Sequence, residues 1–532
     1  MDTGGYWNYL ILTASNHLQA EAYQMQLRWR VQAGCLSRVR ETLVVADLDG
    51  KRIGSGGSTV HCLATVLERE RARARVRASN PAEIFRHLRI LIIHAGGDSR
   101  RLPAYAPCGK IFVPLPGETS SAIPTTLFDR LVPPFLNLPP GLPGAGQIVV
   151  AAGDALNFFD HGAIRFDYPG ITAIGAYASP EEAARHGVFC LDPQGGVRLF
   201  LQKPSIQKQH ELGAITSSGQ TPLDIGLMSF DAPAAAALLE AFDSGVWPLV
   251  LELGADLYRE ICCALGAETT FQQYLGSARA SGSAWPESQL ARLYAQLRAV
   301  PFQARMAPRC RFLHFGSTRQ LISSGIELLA LDQGSAPEAT AILVNNRIES
   351  GGAVSGSESW VEGCILRAPL TLTGRNVVVG VDIDEPLSLP RGGCLEVVPG
   401  RSRSGAPGCF IRCYGVNDTF KDPAAKGGTF CGVPLMDWLA AVSLSPEDVW
   451  EESLPASERS LWNARVFPFE TSVDAYRRWL WMLEPAAAGA EHKARFRQAE
   501  RYSAEQIAWL ADQTYFHQRR ASIRAWNLRP LR

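Results

Sequence analysis

The sequence predicts an α/β protein in three parts: a mostly parallel sheet with helices on both faces, a left-handed parallel β-helix, and a helical C-terminal region. Three observations lead there. Up to about residue 320, short apolar runs alternate with amphipathic ones. Past residue 340, apolar residues recur every six positions. Past about 432, aromatic-rich runs keep a helical period. Strands alternating with helices argue for a parallel sheet covered on both sides. A six-residue repeat with turn glycines argues for a coil that fills its core with one residue per flat face. The parts are placed at residues 1–325, 326–435 and 436–532.

The elements follow in order. AEAYQMQLRWRVQAG (20–34) and STVHCLATVLERERARARV (58–76) read as helices, and ETLVVADL (41–48), LRILIIHAG (88–96), QIVVAAGD (147–154) and GITAIGAY (170–177) as strands. In such sheets ligands sit at the carboxyl ends of the strands. PLVLELGADLYREICCALG (248–266) reads as a helical insertion. The six-residue repeat runs through Ile342, Ile348, Val354, Trp360, Leu366, Leu372 and Val378, with Gly356, Gly374 and Gly380 two places after three of them. Trp360 is large for a tight coil. Four runs then read as amphipathic helices: 433–442, 457–467, 472–483 and 503–526. Their aromatic stripes suit packing, and EPAAAGAEHK (484–493) suits a mobile connection.

Bulk properties exclude several classes. The 532 residues carry 52 Lys and Arg against 52 Asp and Glu, which suits neither a nucleic-acid nor an anionic-membrane partner. The basic run 69–78 is read as a solvated helix face. MDTGGYWNYL lacks the basic start and apolar core of a signal peptide, and no apolar stretch approaches the roughly 20 residues of a membrane helix. The twelve cysteines lack metal-ligand spacing, so zinc is not expected and reduced thiols of a cytoplasmic protein are.

The most telling stretch is HAGGDSRRLPAYAPCGKIFVPLP (94–116), which follows the apolar run 89–93. Gly96 and Gly97 open a turn; Arg100, Arg101 and Lys110 follow. A strand, a Gly-rich turn and fixed cations suit a triphosphate, because glycines let backbone N–H groups approach and Arg and Lys neutralise charge. RIGSGGSTVHCL (52–63) is a second Gly-rich turn before a helix, where Gly56 and Gly57 either contact a nucleotide or serve a plain helix cap. It matches neither the P-loop nor the GxGxxG order.

The 94–116 segment resembles the sugar-1-phosphate nucleotidyltransferases, with Asp98-Ser99 where Gly-Thr or Gly-Ser is usual. That departure is similar to the GDP-fucose pyrophosphorylase half of the bifunctional fucokinase/GDP-fucose pyrophosphorylases. TASNHLQAEAYQMQLRWR (13–30), RIGSGGSTVHCL, FLQKPS (200–205), DIGLMSF (224–230), FLHFGSTRQL (312–321), YGVNDTFK (414–421) and SLWNARVFP (460–468) resemble the family in the same order. The resemblance implies a Rossmann-like nucleotidyltransferase domain at 1–325 and in-line attack by a sugar 1-phosphate, L-fucose 1-phosphate first, on the α-phosphate of GTP. Arabinose 1-phosphate would fit as well.

The resemblance also assigns roles. Arg101 and Lys110 would neutralise the triphosphate, with Arg100 the alternative to Arg101, and Gly96 and Gly97 would present backbone to the nucleotide. Lys203 would meet the sugar-linked phosphate; Gln202 beside it replaces a Glu. Mg²⁺ would rest on Asp154, with Asp224 a second carboxylate, although Asp154 could also cap a helix. His314 stands where relatives carry a metal-binding Asp, and is either catalytic or structural. The competing readings are a catalytically degenerate binding or regulatory protein, a β-helix acyltransferase and a sugar kinase. Residues 341–383 hold no histidine for an acyltransferase, and no Pro-x-x-x-Gly-Leu-x-Ser-Ser loop occurs for a kinase. A separate sugar kinase acting upstream is the expected partner.

Overall fold

The structure, a computed structural model, describes residues 5–74, 80–117, 121–334 and 341–529. Residues 75–78, the end of the basic run, lie outside them. The chain forms two compact units: Met1–Gly97 with Leu131–Phe312, and Asp98–Arg130 with Leu313–Arg532.

The first unit is built on strands β1 (Trp7–Ala14), β2 (Val39–Ala46), β3 (Arg89–His94), β4 (Gln147–Ala152), β5 (Ala155–Phe158), β6 (Ile171–Ala178), β7 (Gly187–Leu191), β8 (Val197–Gln202), β9 (Thr221–Phe230) and β10 (Phe302–Met306). The main sheet has the order β10-β6-β9-β4-β3-β1-β2. β9 runs antiparallel to β4 and β6, and the other neighbours are parallel. β7 and β8 form a hairpin, with β7 also paired to β9. Ile90 to Ile93 of β3 are fully buried, as expected of a strand covered on both faces. Helix α1 (His17–Gln32) follows β1, and Asn16 caps it by accepting from the Gln19 amide. Helix α2 (Gly54–Ala74) follows β2. The chain then crosses back to β3 on the other side of β1, so the order reverses between β1 and β3. Such a reversal opens a crevice at the strands' carboxyl ends.

The second unit resumes at Leu313, within β11 (Arg311–His314), and continues through helix α3 (Thr318–Gln333) into a coil of short strands. These are β12 (Ile342–Val344), β13 (Arg347–Ile348), β14 (Ala353–Ser355), β15 (Trp360–Glu362), β16 (Ile365–Leu366), β17 (Pro369–Leu372), β18 (Val377–Val379), β19 (Asp382–Ile383) and β20 (Leu387–Leu389). They stack in parallel as three sheets, β12-β15-β18, β13-β16-β19 and β14-β17-β20. The first sheet continues into β21 (Gly393–Arg401), which pairs antiparallel with β22 (Pro407–Gly415).

The repeat is looser than the sequence suggests. Ile342 pairs with Trp360, 18 positions on, but Trp360 pairs with Val377, only 17 on. Ile342, Trp360, Leu366, Leu372 and Val378 are buried, whereas Ile348 is 38% exposed and Val354 is half-buried. Val354 is also out of step with the repeat, pairing with Leu370, 16 positions on, rather than with Leu372. Trp360 fits because Gly325 of α3 faces it: a Cβ there would lie 3.0 Å from the indole ring.

The C-terminal stretch is less helical than expected. Residues 457–467 form turns leading into the strand Phe467–Glu470, and Val473–Leu483 is a run of 3-10 turns. The expected mobile connection holds the helix Ala490–Gln498. The run 503–526 breaks into Ala504–Leu510 and helix α4 (Gln513–Asn527), with Asp512 capping α4. Among the described residues no helix is long and apolar enough to cross a membrane. All twelve cysteines are free thiols.

Candidate active site

The first Gly-rich turn lies at the switch point of the first unit. The amides of Ala95 and Gly96 donate to Thr13 Oγ1 at 3.1 and 3.2 Å, and Tyr23 donates to the Ala95 carbonyl at 2.9 Å. Gln19 ties the two strand ends together: its Nε2 donates to the Gly97 carbonyl at 3.2 Å and its Oε1 accepts from the Ser15 amide at 2.8 Å. Gly97 has φ +117°, a conformation that side chains resist. Thr13, Gln19 and Tyr23 had no assigned role in the sequence. Their signal was the polar cluster that ends the first apolar run.

One strand over, Gly153-Asp154 leaves β4. The Gly153 amide donates to the His94 carbonyl at 3.1 Å, and a Cβ on Gly153 would lie 2.6 Å from that oxygen. Glycine is needed for this approach, and it sets the half-buried Asp154 beside the Gly-rich turn. Behind it lies a polar cluster. His94 Nε2 is 2.9 Å from Thr59 Oγ1, and burial lowers the His94 pKa to about 4, so the ring is neutral near pH 7. Ser55 donates to Asp256 at 3.1 Å, and Asp256 caps the π-helical segment Leu257–Cys262. Tyr258 of that segment hydrogen-bonds Asp224 of β9, and the fields of Asp224, Asp256 and Asp154 all act on its hydroxyl. Burial raises the Asp224 pKa to about 7, against hydrogen bonds from the Gly226 amide and Tyr258. Asp224 Oδ1 has no hydrogen-bond partner among the described residues. Asp224 thus bonds a tyrosine that the sequence did not single out, while Asp154 leaves the neighbouring strand β4. No group of three or more His, Cys, Asp or Glu side chains suited to a metal occurs among the described residues.

The second Gly-rich turn is used differently from the nucleotide contact considered for it. It forms the first turn of α2, where the Gly56 and Gly57 amides both donate to the Ala255 carbonyl at 2.8 and 3.1 Å. These two glycines let α2 close on the segment around Ala255.

Lys203 follows β8, exposed and at φ +49°, an uncommon conformation for a residue with a side chain. Its amide donates to the His186 carbonyl at 3.0 Å. Three buried acceptor oxygens near this corner have no partner among the described residues: Gln202 Oε1, Asn157 Oδ1 and Asp224 Oδ1. Gln202 pairs across the hairpin with Gly187, Val188 pairs with Leu223, and Asn157 Nδ2 donates to the Ile225 carbonyl at 3.4 Å. The pairings gather all three around one stretch of β9.

The cations after Gly97 belong to the second unit. Arg100 pairs with Asp98 at 3.0 Å and lies 5.8 Å over the Trp462 ring. Arg101 is exposed and makes no ion pair among the described residues. Its carbonyl accepts from the Thr318 amide at 2.9 Å, at the start of α3. Lys110 is half-buried and opens a 3-10 turn after Gly109. The two arginines differ in that Arg100 has a carboxylate partner. His314 precedes α3, and its carbonyl accepts from Ser324 at 2.7 Å.

The fucose pyrophosphorylase domain, as a family, matches residues 82–472. The chain belongs to this family. It is 27% identical over 558 residues to a bifunctional fucokinase/GDP-fucose pyrophosphorylase of Arabidopsis thaliana, covering 94% of this chain and 50% of that protein. An L-fucokinase/L-fucose-1-P guanylyltransferase of Bacteroides fragilis is 25% identical over 515 residues, covering 93% and 50%. A human fucose-1-phosphate guanylyltransferase is 25% identical over 539 residues, covering 88% and 82%. The chain therefore spans about half the length of the bifunctional relatives. The fucose pyrophosphorylase match includes Gly96, Gly97, Arg100, Arg101, Lys110, Asp154, Lys203 and Asp224; Gly56 and Gly57 precede it.

Proposed function

We propose that this chain is a sugar-1-phosphate guanylyltransferase that converts GTP and L-fucose 1-phosphate into GDP-L-fucose and pyrophosphate. The family match carries the reading, and the placement of its Gly-rich turn at a topological switch point supports it. A phosphate oxygen of the sugar 1-phosphate attacks the α-phosphorus in line, and the bond to the bridging oxygen breaks to release pyrophosphate. Chemistry of this kind asks for positioning and charge neutralisation rather than a covalent nucleophile. Gly96 and Gly97 give the nucleotide backbone to approach. Arg101 and Lys110 neutralise the triphosphate. Lys203 holds the sugar-linked phosphate. The unpaired oxygens of Gln202 and Asn157 suit sugar hydroxyls, which would donate to them.

Mg²⁺ fits these residues, because it commonly binds through one or two carboxylates plus phosphates and water, and Asp224 offers an unpaired buried oxygen. Asp154, with Asp224, would hold it, and it would supply charge neutralisation at the phosphates. Gly56 and Gly57 are left out of the proposed site, since they lie in the first turn of α2, bonded to Ala255, and precede the family match.

The choice of fucose and guanine follows the relatives' names. The bifunctional relatives join this half to a fucokinase, so an upstream sugar kinase would supply the substrate. A cytoplasmic setting, suggested by the free thiols, and a left-handed winding of the coil, suggested by the six-residue repeat, belong to the same proposal. The test uses GTP made chiral at the α-phosphorus by one sulfur. A GDP-fucose thio-analogue of inverted configuration is expected. No nucleotide sugar at all would overturn the function, and retention would overturn the direct attack.

A further inference from the structure

The loop that carries Arg101 and Lys110 has little regular structure: two 3-10 turns, at Pro103–Tyr105 and Lys110–Phe112. Yet Leu102, Pro103, Ala104, Tyr105 and Cys108 are buried. Two buried ion pairs of the second unit meet this stretch. Glu362 and Glu396 stand in one row of the coil, on either side of Val379, and both are fully buried. Arg520 of α4 grips Glu362 with two donors, Nε at 2.9 Å and Nη2 at 2.6 Å. Glu362 also accepts from the Tyr105 hydroxyl at 3.1 Å, and that hydroxyl accepts from Trp360 Nε1 at 2.9 Å. Arg412 bonds Glu396 at 2.6 Å and donates to the Pro103 carbonyl at 2.8 Å. Arg524 of α4 donates to the Ser121 carbonyl at 3.0 Å, further along the same excursion of the chain.

A buried ion pair is costly to desolvate, and apolar residues of the same volume often stabilise a core as well or better. What these pairs provide, and leucines would not, is polar atoms at fixed points. They hold the loop at Pro103 and Tyr105, and Thr318 holds it at Arg101. The anchors fall at the first of the two proposed phosphate-binding cations and between it and the second.

We propose that Tyr105, Glu362 and Arg520 are positioning residues for Arg101 and Lys110, and that helix α4 thereby fixes a loop remote from it in sequence. The proposal rests on the guanylyltransferase reading for its effect on turnover, but not for its effect on the loop.

The test is Tyr105→Phe, which removes one hydroxyl. Turnover should fall roughly ten- to a hundredfold, as for a small misplacement of catalytic groups, with KM for GTP nearly unchanged. Amide exchange at Leu102, Tyr105 and Ala106, which are hydrogen-bonded within the loop, should quicken about tenfold or more. The double variant Glu362→Leu, Arg520→Leu guards against simple unfolding: its melting temperature should stay close to the parent's while turnover falls. Parent-like turnover or parent-like exchange in folded Tyr105→Phe overturns the proposal. If the parent makes no nucleotide sugar, the guanylyltransferase reading fails by itself, and the exchange data still decide whether Tyr105 holds the loop.

Discussion

At the scale of single residues, Lys110 and Asp224 make the strongest demands. Lys110 follows Gly109 in a short 3-10 turn, and its ammonium is the group proposed to meet the phosphates. Lys110→Ala should keep the fold and lower turnover at least about a hundredfold, the loss expected from removing a transition-state charge contact. Near-normal turnover would remove that role. Asp224 makes a different demand. Burial raises its pKa from 3.8 to about 7. Between those values the folded protein keeps a proton that the unfolded chain has released, so stability falls as pH rises across that window. The shift corresponds to roughly 4 kcal/mol by pH 8. Asp224→Asn removes the penalty. In metal-free protein its melting temperature should exceed the parent's at pH 8, and the gain should shrink toward pH 4. An equal difference at both ends would show that Asp224 does not titrate in this window. Added Mg²⁺ should stabilise the parent at pH 8 more than Asp224→Asn if this carboxylate helps hold the ion.

At the scale of elements, β3 and β4 end with their loops in contact, through the Gly153 amide and the His94 carbonyl. Gly153→Ala would press a methyl group against that carbonyl and should cost about 1–3 kcal/mol, read as a lower melting temperature. An unchanged melting temperature would mean that the two strand ends separate easily. Much of this level was legible in the sequence. The run 89–93 is apolar because both faces of β3 are covered, and GG after it marks the turn. The six-residue repeat marked the coil because each turn has three short sides. Its slip after Trp360 was not legible, since a one-residue change in turn length leaves apolar residues plentiful on both sides. Residues 472–483 misled for a physical reason: a 3-10 run and an α-helix both place apolar residues three apart. Tyr258 and Tyr105 were out of reach because their partners lie far along the chain, Asp224 for one and Glu362 for the other.

At the scale of the whole molecule, the residues proposed for the chemistry are spread widely along the chain. The first unit holds the strand ends with Gly96, Gly97, Asp154, Lys203 and Asp224, and the second holds Arg101 and Lys110 on a loop fastened to the coil. The family match runs through both, from residue 82 to residue 472. The C-terminal stretch beyond that match supplies Arg520, which gives α4 a place in the account beyond packing. Pyrophosphate release with Mg²⁺, from four nucleoside triphosphates crossed with several sugar 1-phosphates, decides between an enzyme and a binding protein. Release with GTP and fucose 1-phosphate, lost in Lys110→Ala, is the expected result. Silence across the panel from folded protein would rule out the guanylyltransferase and favour a degenerate binding protein.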